Sequence, residues 1–494
     1  MRVVFCATHP AASNGYSKIA YELCKRLGSR DDVDLHWFGF QNMDPDSRVV
    51  RPLPARVKVY DAVAHEKPAK HGFGFDQIEG YVREVKPDLV IVYNDAVVCT
   101  HIMSKLAAIQ DPSFKIMIYQ DLVYEHIRRV FVDVLNARAD RVLAFTPYWQ
   151  GVLQKAGVTK PTSCIRHGFN PETMFPVPKA LARRYFRIAD NEFVILNLNR
   201  NQPRKRWDVV LKAFAEFVSR HRGEAFKLLI GTALNGAWNL IEIFDRELGK
   251  RGISLEEGMR HLIVVDAPQK LSDEDINILM NCADIGINAA DGEGFGLCNF
   301  EHAGIGKPQV VPRIGGFHDF FRDEYAMLCD PVLAYYLDTR HDGVGGEASF
   351  IDYQDMTSGI EFYYANRDKM AEHGRMAREK ILAGYRWDDI ADKLYGECLE
   401  CLKKEEAAPK AAEEQPPAVE EQPQAAEEQP KAAEEQPQAA EAPKAAPAPK
   451  ADEAQPAAED QPSEKPRDIA SVKKQLATLT RQLTMLAEAV DTLA

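Results

Sequence analysis

Short, continuously apolar runs alternate with stretches of helical periodicity along most of the chain. Strands are expected at residues 3–6, 33–40, 57–63, 88–93, 115–119, 141–145 and 163–166, and helical spacing fills intervening segments such as 17–27 and 124–137. These runs lack the polar alternation of a strand that is wet on one face. Together with the helices between them, they predict a parallel sheet covered on both sides. The pattern restarts at Phe193-Val-Ile-Leu-Asn-Leu-Asn199 and continues at 226–231, 261–265, 285–290, 309–312 and 327–329. Two consecutive doubly wound α/β units are therefore expected, with their boundary near 176–190. A ligand cleft should lie between them, at the carboxyl ends of the strands. Residues 388–404 predict a last helix.

After Lys404 the pattern ends. Glu-Glu-Gln-Pro recurs at 413, 420, 427 and 434. A proline in each repeat excludes a helix, so 405–465 reads as a disordered, acidic, Pro-rich linker. A heptad follows at 466–494: Ile469, Leu476, Leu483 and Val490 alternate with Val472, Leu479, Leu486 and Leu493. This stripe predicts a coiled-coil helix that self-associates or docks on a helical partner. The tail also explains the charge. Of the formal −13, the segment from Glu405 to Lys465 contributes −11 (16 acidic residues, 5 Lys), leaving −2 elsewhere. Bulk charge thus gives no footprint for nucleic acid. No apolar run reaches the ~18 residues of a membrane span, and the apolar N-terminus is too short for a signal peptide. Nine scattered cysteines suit a reduced, cytoplasmic compartment.

Two segments carry the candidate chemistry. In Asp291-Gly-Glu-Gly-Phe-Gly-Leu-Cys-Asn-Phe-Glu301, two glutamates bracket a glycine-rich turn between a predicted strand and a helix starting near Phe300. Such a turn lets backbone N–H groups approach a phosphate or sugar, and the carboxylates can accept from two sets of hydroxyls on one extended ligand. In Asn199-Arg-Asn-Gln-Pro-Arg-Lys-Arg206, four cations within seven residues follow a strand. They make either an anion site or a solvated basic loop. Asn14-Gly-Tyr-Ser17 opens a helix and reads either as a close approach to a polar ligand or as an Asn-Gly turn with a cap.

The glutamate pair, together with Arg200 and Lys205, resembles the retaining glycosyltransferases of the family-4-like group, which have the GT-B architecture of two Rossmann-like domains facing a cleft. The resemblance spans 1–404. It implies an acceptor domain at 1–180, a nucleotide-sugar donor domain at 181–387 and a crossover helix at 388–404 returning to the first domain; Trp387 reads either as an anchor of that crossing or as a plain core tryptophan. Glu293 would face the transferred sugar, Glu301 the ribose, and Arg200 and Lys205 the leaving diphosphate. Gly15, Gly294, Phe295, Gly296 and Leu297 would line the donor, and Asn94, Asp95, Gln120, Asp121 and His126 the sugar or acceptor. No metal or other cofactor is implied. Two departures stand out. Arg206 replaces the glycine that commonly follows the lysine, and Tyr119-Gln-Asp121 replaces a histidine before the aspartate. The implied activity is transfer from a nucleotide-diphosphate sugar to a glycan, lipid or protein-linked acceptor. The alternatives are an epimerase or phosphorylase of the same fold, or an inactive sugar-nucleotide-binding scaffold. Arg128, Arg129, Arg138 and Arg141, expected on one helix, suit either a solvated face or peripheral contact with an anionic membrane.

The tail generates a prediction of its own. Removing the residues after Lys404 should leave a folded monomer, whereas the full chain should be oligomeric or bound to a helical partner. Light scattering that found the truncated body assembling like the full chain would contradict this.

Overall fold

The computed structural model describes residues 1–44, 49–66, 72–110, 112–338 and 343–403. The linker and heptad expected at 405–465 and 466–494 lie outside the described residues.

The first sheet contains β1 (Arg2–Thr8), β2 (Asp34–Phe40), β3 (Lys58–Asp61), β4 (Leu89–Asp95), β5 (Lys115–Asp121), β6 (Arg141–Ala144) and β7 (Thr162–Cys164). Their order is β3-β2-β1-β4-β5-β6-β7, and all pairings are parallel. The second sheet contains β8 (Phe193–Asn197), β9 (Phe226–Ile230), β10 (Leu262–Val264), β11 (Ile285–Ile287), β12 (Gln309–Pro312) and β13 (Met327–Cys329), ordered β10-β9-β8-β11-β12-β13 and again parallel. The uninterrupted apolar runs have the predicted cause. Val3 to Ala7 and Leu89 to Val92 are fully buried, because helices cover both faces of the sheet.

Several local expectations change. The run at 57–63 is a strand only to Asp61, whose side chain then accepts from the Val63 N–H at 3.0 Å and caps a one-turn helix, Ala62–His65. The helix expected from 124 begins at Arg129. Tyr124 and Ile127 are buried at helical spacing, but in a loop in which His126 takes φ 50°. Arg141 is not on that helix. It starts β6 and pairs with Glu397. An antiparallel hairpin, β14 (Pro331–Leu337) with β15 (Gly346–Ile351), was not foreseen and lies outside both sheets.

The last helix, Trp387–Leu402, packs on the first helix, Gly15–Leu27. Arg26 bonds Asp388 at 2.7 Å with its guanidinium 5.9 Å from the Trp387 ring, and Arg30 pairs with Asp392. The chain after β7 leaves just enough room for the indole, since a Cβ at Gly168 would lie 2.5 Å from it. Trp387 thus sits at the crossing, beside the bond from the Phe169 N–H to the Tyr385 carbonyl at 2.8 Å. Cys398 and Cys401 are buried thiols on this helix.

Candidate active site

Each sheet reverses its strand order once, between β1 and β4 and between β8 and β11. Adjacent strands at such a point send their following loops to opposite faces, which opens a crevice at their carboxyl ends. The candidate residues cluster there. Asn14 to Ser17 follow β1, Asn94 and Asp95 end β4, and Gln120 and Asp121 end β5. The cationic loop follows β8, and the two glutamates follow β11.

Glu293 is 7% exposed, and a carboxylate at that depth is stable only if paired. Lys205, also 7% exposed, donates to it, and Arg204 approaches to 3.6 Å while donating to the Gly292 carbonyl at 2.5 Å. Burial alone would raise the carboxyl pKa, but Lys205 and Arg204 outweigh it and hold Glu293 below its ordinary value, ionised. Beneath lies a buried amide chain. Asn288 donates to Asn299 at 2.9 Å, Asn299 donates to Gln309 at 2.9 Å, and the Gln309 amide lies 3.0 Å from His302. Burial pulls His302 down to about 3, so it is a neutral strut.

Glu301, on the helix Leu297–Gly304, is paired across the junction with Lys18 of the first helix at 2.5 Å. Burial raises the Glu301 pKa despite Lys18. Arg51 extends this cationic face. It donates to the Pro10 and Ala12 carbonyls at 3.2 and 3.0 Å and to Ser17 at 2.6 Å, and lies 3.7 Å from Asp273 of the second half. Asp121 accepts from the Tyr16 hydroxyl at 2.5 Å. The glycine turn then closes the junction. A Cβ at Gly294 would strike Asp121, and the Trp149 indole donates to the Gly294 carbonyl at 2.6 Å. Gly296 (φ 86°) caps the following helix in a left-handed conformation that glycine adopts without strain, and a Cβ there would strike Phe317.

The other expected residues are placed as follows. Gly15 begins the first helix 3.4 Å from Leu297, measured to a hypothetical Cβ, and Phe295 is buried against His167 and Phe300. Arg200 is exposed, and its carbonyl accepts from the Trp207 indole at 3.2 Å. Arg204, rather than Arg200, therefore shares Glu293 with Lys205. Asn94 is buried, its side-chain Oδ1 accepting from the Asp95 N–H at 2.9 Å, and Asp95 caps the next helix through the Val98 N–H at 2.9 Å. Gln120 is buried, and its amide nitrogen has no hydrogen-bond partner among the described residues. His126 is on the surface, 3.7 Å from Glu347. His167 is buried among aromatic rings and held neutral, pulled down to about 3 by burial. Among the described residues, no group of three or more His, Cys, Asp or Glu is arranged to hold a metal. The sequence reading missed Lys18, Arg51, Trp149 and Asn288. Only the position of Lys18, one turn beyond Asn14, carried a signal.

Two parallel sheets meeting at their switch points, with paired carboxylates and cations between them, define an α/β fold of two Rossmann-type halves. Comparison with known proteins narrows this. Residues 179–335 match the family described as "Glycosyl transferases group 1", so the similarity lies in the half that carries β8–β13. Over 205 residues the chain is 25% identical to the D-inositol 3-phosphate glycosyltransferase of Acidothermus cellulolyticus, covering 41% of this chain and 40% of that protein. The chain thus spans about two fifths of the length of the curated relatives it matches. The fold is shared with sucrose-phosphate synthase from Thermosynechococcus elongatus (TM-score 0.60, 17% identity, 81% of this chain and 99% of that one). It is also shared with Anabaena Alr3699/HepE, solved in complex with UDP and glucose (TM-score 0.57, 16% identity, 81% and 100%).

Asp121 makes the junction sensitive to pH. Burial, aided by Asp95 and Glu293 and opposed by Tyr16 and Arg204, pushes its carboxyl up to about 6 from 3.8. The folded chain therefore keeps this proton where the unfolded chain has lost it. The group's contribution to stability falls as pH rises from about 4 to about 6 and stays low above that. Asp121→Asn, which mimics the protonated acid, should match the parent near pH 4 and exceed it by ~1–3 kcal/mol at pH 8 in urea unfolding. A parent that is the more stable of the two at pH 8 would contradict this.

Proposed function

We propose that the chain is a retaining glycosyltransferase that transfers a sugar from a nucleotide-diphosphate sugar to a glycan, lipid or protein-linked acceptor. The observation that carries this reading is the buried Glu293–Lys205–Arg204 cluster at the switch point of the half that matches group 1 glycosyltransferases. In this reading Lys205 and Arg204 face the donor diphosphate, and Arg200 turns in from solvent to join them. Their fixed positive charge stabilises the negative charge that grows on the leaving diphosphate. This is the task a metal performs elsewhere, so none is required. Glu293 orients the sugar, and Glu301 holds the ribose after its hydroxyls replace the Lys18 ammonium. The acceptor attacks from the face that the diphosphate leaves, and the departing phosphate takes the acceptor's proton. Asn94, Asp95, Gln120 and Asp121 line the acceptor side. The unpartnered Gln120 amide offers a donor to a sugar hydroxyl but cannot carry a proton.

Glu293→Gln should lower turnover on the order of 100-fold while changing nucleotide affinity little. Glu301→Ala should mainly weaken nucleotide binding, by roughly tenfold. Steady-state kinetics with product analysis, alongside calorimetry with the nucleoside diphosphate, separates the two effects. Small and equal losses from both would remove the assigned roles.

A further inference from the structure

The hairpin absent from the sequence expectations is tied to both halves of the molecule, and by contacts of unequal kind. On the second half it holds the first residue of the glycine turn. The Tyr335 hydroxyl donates to Asp291 at 2.6 Å, and the Ser349 N–H donates to the Asp291 carbonyl at 2.8 Å. Arg206 reinforces this side. Its guanidinium donates to Tyr335 at 3.3 Å, lies 4.6 Å from the Phe350 ring and forks onto Asp208 at 2.6 and 2.9 Å. Arg206 has φ 47° and ψ 51°, a left-handed backbone that favours glycine. The contacts of its side chain are a physical reason for an arginine there. β15 then ends at Ile351, 1% exposed in the core of the second half.

On the first half the hairpin meets the loop after β5. The Glu347 N–H donates to the Glu125 carbonyl at 2.9 Å in an antiparallel bridge, and a Cβ at Gly346 would lie 2.7 Å from that carbonyl oxygen. The side-chain contact beside it, His126 to Glu347 at 3.7 Å, is between exposed groups (73% and 43%). Such a pair contributes little. The hairpin therefore spans the junction where Gly294 meets Asp121.

We propose that this hairpin is a strap: it stays fixed to the glycine turn through Tyr335 and Arg206, and it detaches from Glu125 whenever the two halves part to admit or release ligand. Tyr335 and Arg206 are positioning residues that act through Asp291. The identity of the ligand rests on the proposed glycosyltransferase reading; the strap's motion does not.

Residue-resolved hydrogen exchange on the full chain tests the motion without any ligand. The amides of Glu347 and Ser349 lie in the same strand and are both hydrogen-bonded outside the hairpin. Glu347 should exchange at least ~tenfold faster, because only its bond breaks in the partial opening. In Tyr335→Phe, Ser349 should accelerate ~tenfold towards the Glu347 rate. Equal protection of the two amides in the parent would overturn the strap. A second arm joins the halves by a disulfide in Glu125→Cys/Glu347→Cys, whose paired positions suit such a bridge. Its oxidised form should transfer sugar at least ~tenfold more slowly than its reduced form, with reductant restoring the rate and the parent unaffected. Equal rates in the two forms would also overturn the proposal. Absence of transfer in the parent and the reduced variant alike would instead count against the glycosyltransferase reading, leaving the exchange rates to decide the strap.

Discussion

A carboxylate withdrawn from water must find a cation, and this structure is arranged around two that do. Glu293 is met by Lys205 and Arg204 from the loop after β8, and Glu301 by Lys18 from the first helix of the other half. The first pairing is internal to the second half, so that cluster is pre-formed whatever the first half does. The second pairing spans the junction. Its charges pair while the halves are together, and water or another polar ligand can take the partner's place when they are apart. Leaving either group buried without a partner would cost several kcal/mol. Ion pairing and the opening of the cleft are therefore parts of one equilibrium.

Other contacts across the junction add hydrogen bonds and close packing to these ion pairs. Asp121, pushed up to about 6, packs on Gly294 where only a glycine fits, and Trp149 holds the carbonyl of that same glycine. The hairpin adds a further tie from Asp291 to Glu125. The crossover helix fixes the far side through Trp387 on Gly168 and the Arg26–Asp388 bond. The crossing of the last helix is thus held by packed aromatic surface, and the cleft by polar contacts.

Much of this was legible in the sequence, because burial on both faces leaves short, continuous apolar runs rich in β-branched residues, which the helical spacing between them identifies as strands. The two parallel sheets could be read directly, as could the position of the glutamate pair and of Lys205. What could not be read depended on contacts between distant segments. Tyr124 and Ile127 have helical spacing but are buried by a loop turning over the sheet. Arg200 and Arg204 carry the same charge on one loop, and only the direction of that loop after β8 turns Arg204 towards Glu293 and leaves Arg200 exposed. β14 carries apolar residues on a mostly exposed strand, so its pattern resembled neither a core strand nor a loop. Arg206, which in sequence was only a departure from a family pattern, acquires a role once the hairpin lies beside it.

In the proposed reading the two lysines do opposite things: Lys205 serves the ligand, while Lys18 holds the ligand's place. Calorimetric titration of nucleoside diphosphates (UDP, GDP and ADP in turn) into the parent, Lys205→Ala and Lys18→Ala tests it most directly. The diphosphate that binds the parent should bind Lys205→Ala roughly tenfold or more weakly, as expected for a lost charge-assisted contact. It will bind Lys18→Ala as tightly as the parent or more tightly. Equal weakening in both variants would contradict the account, because Lys18 would then be part of the binding site rather than its placeholder.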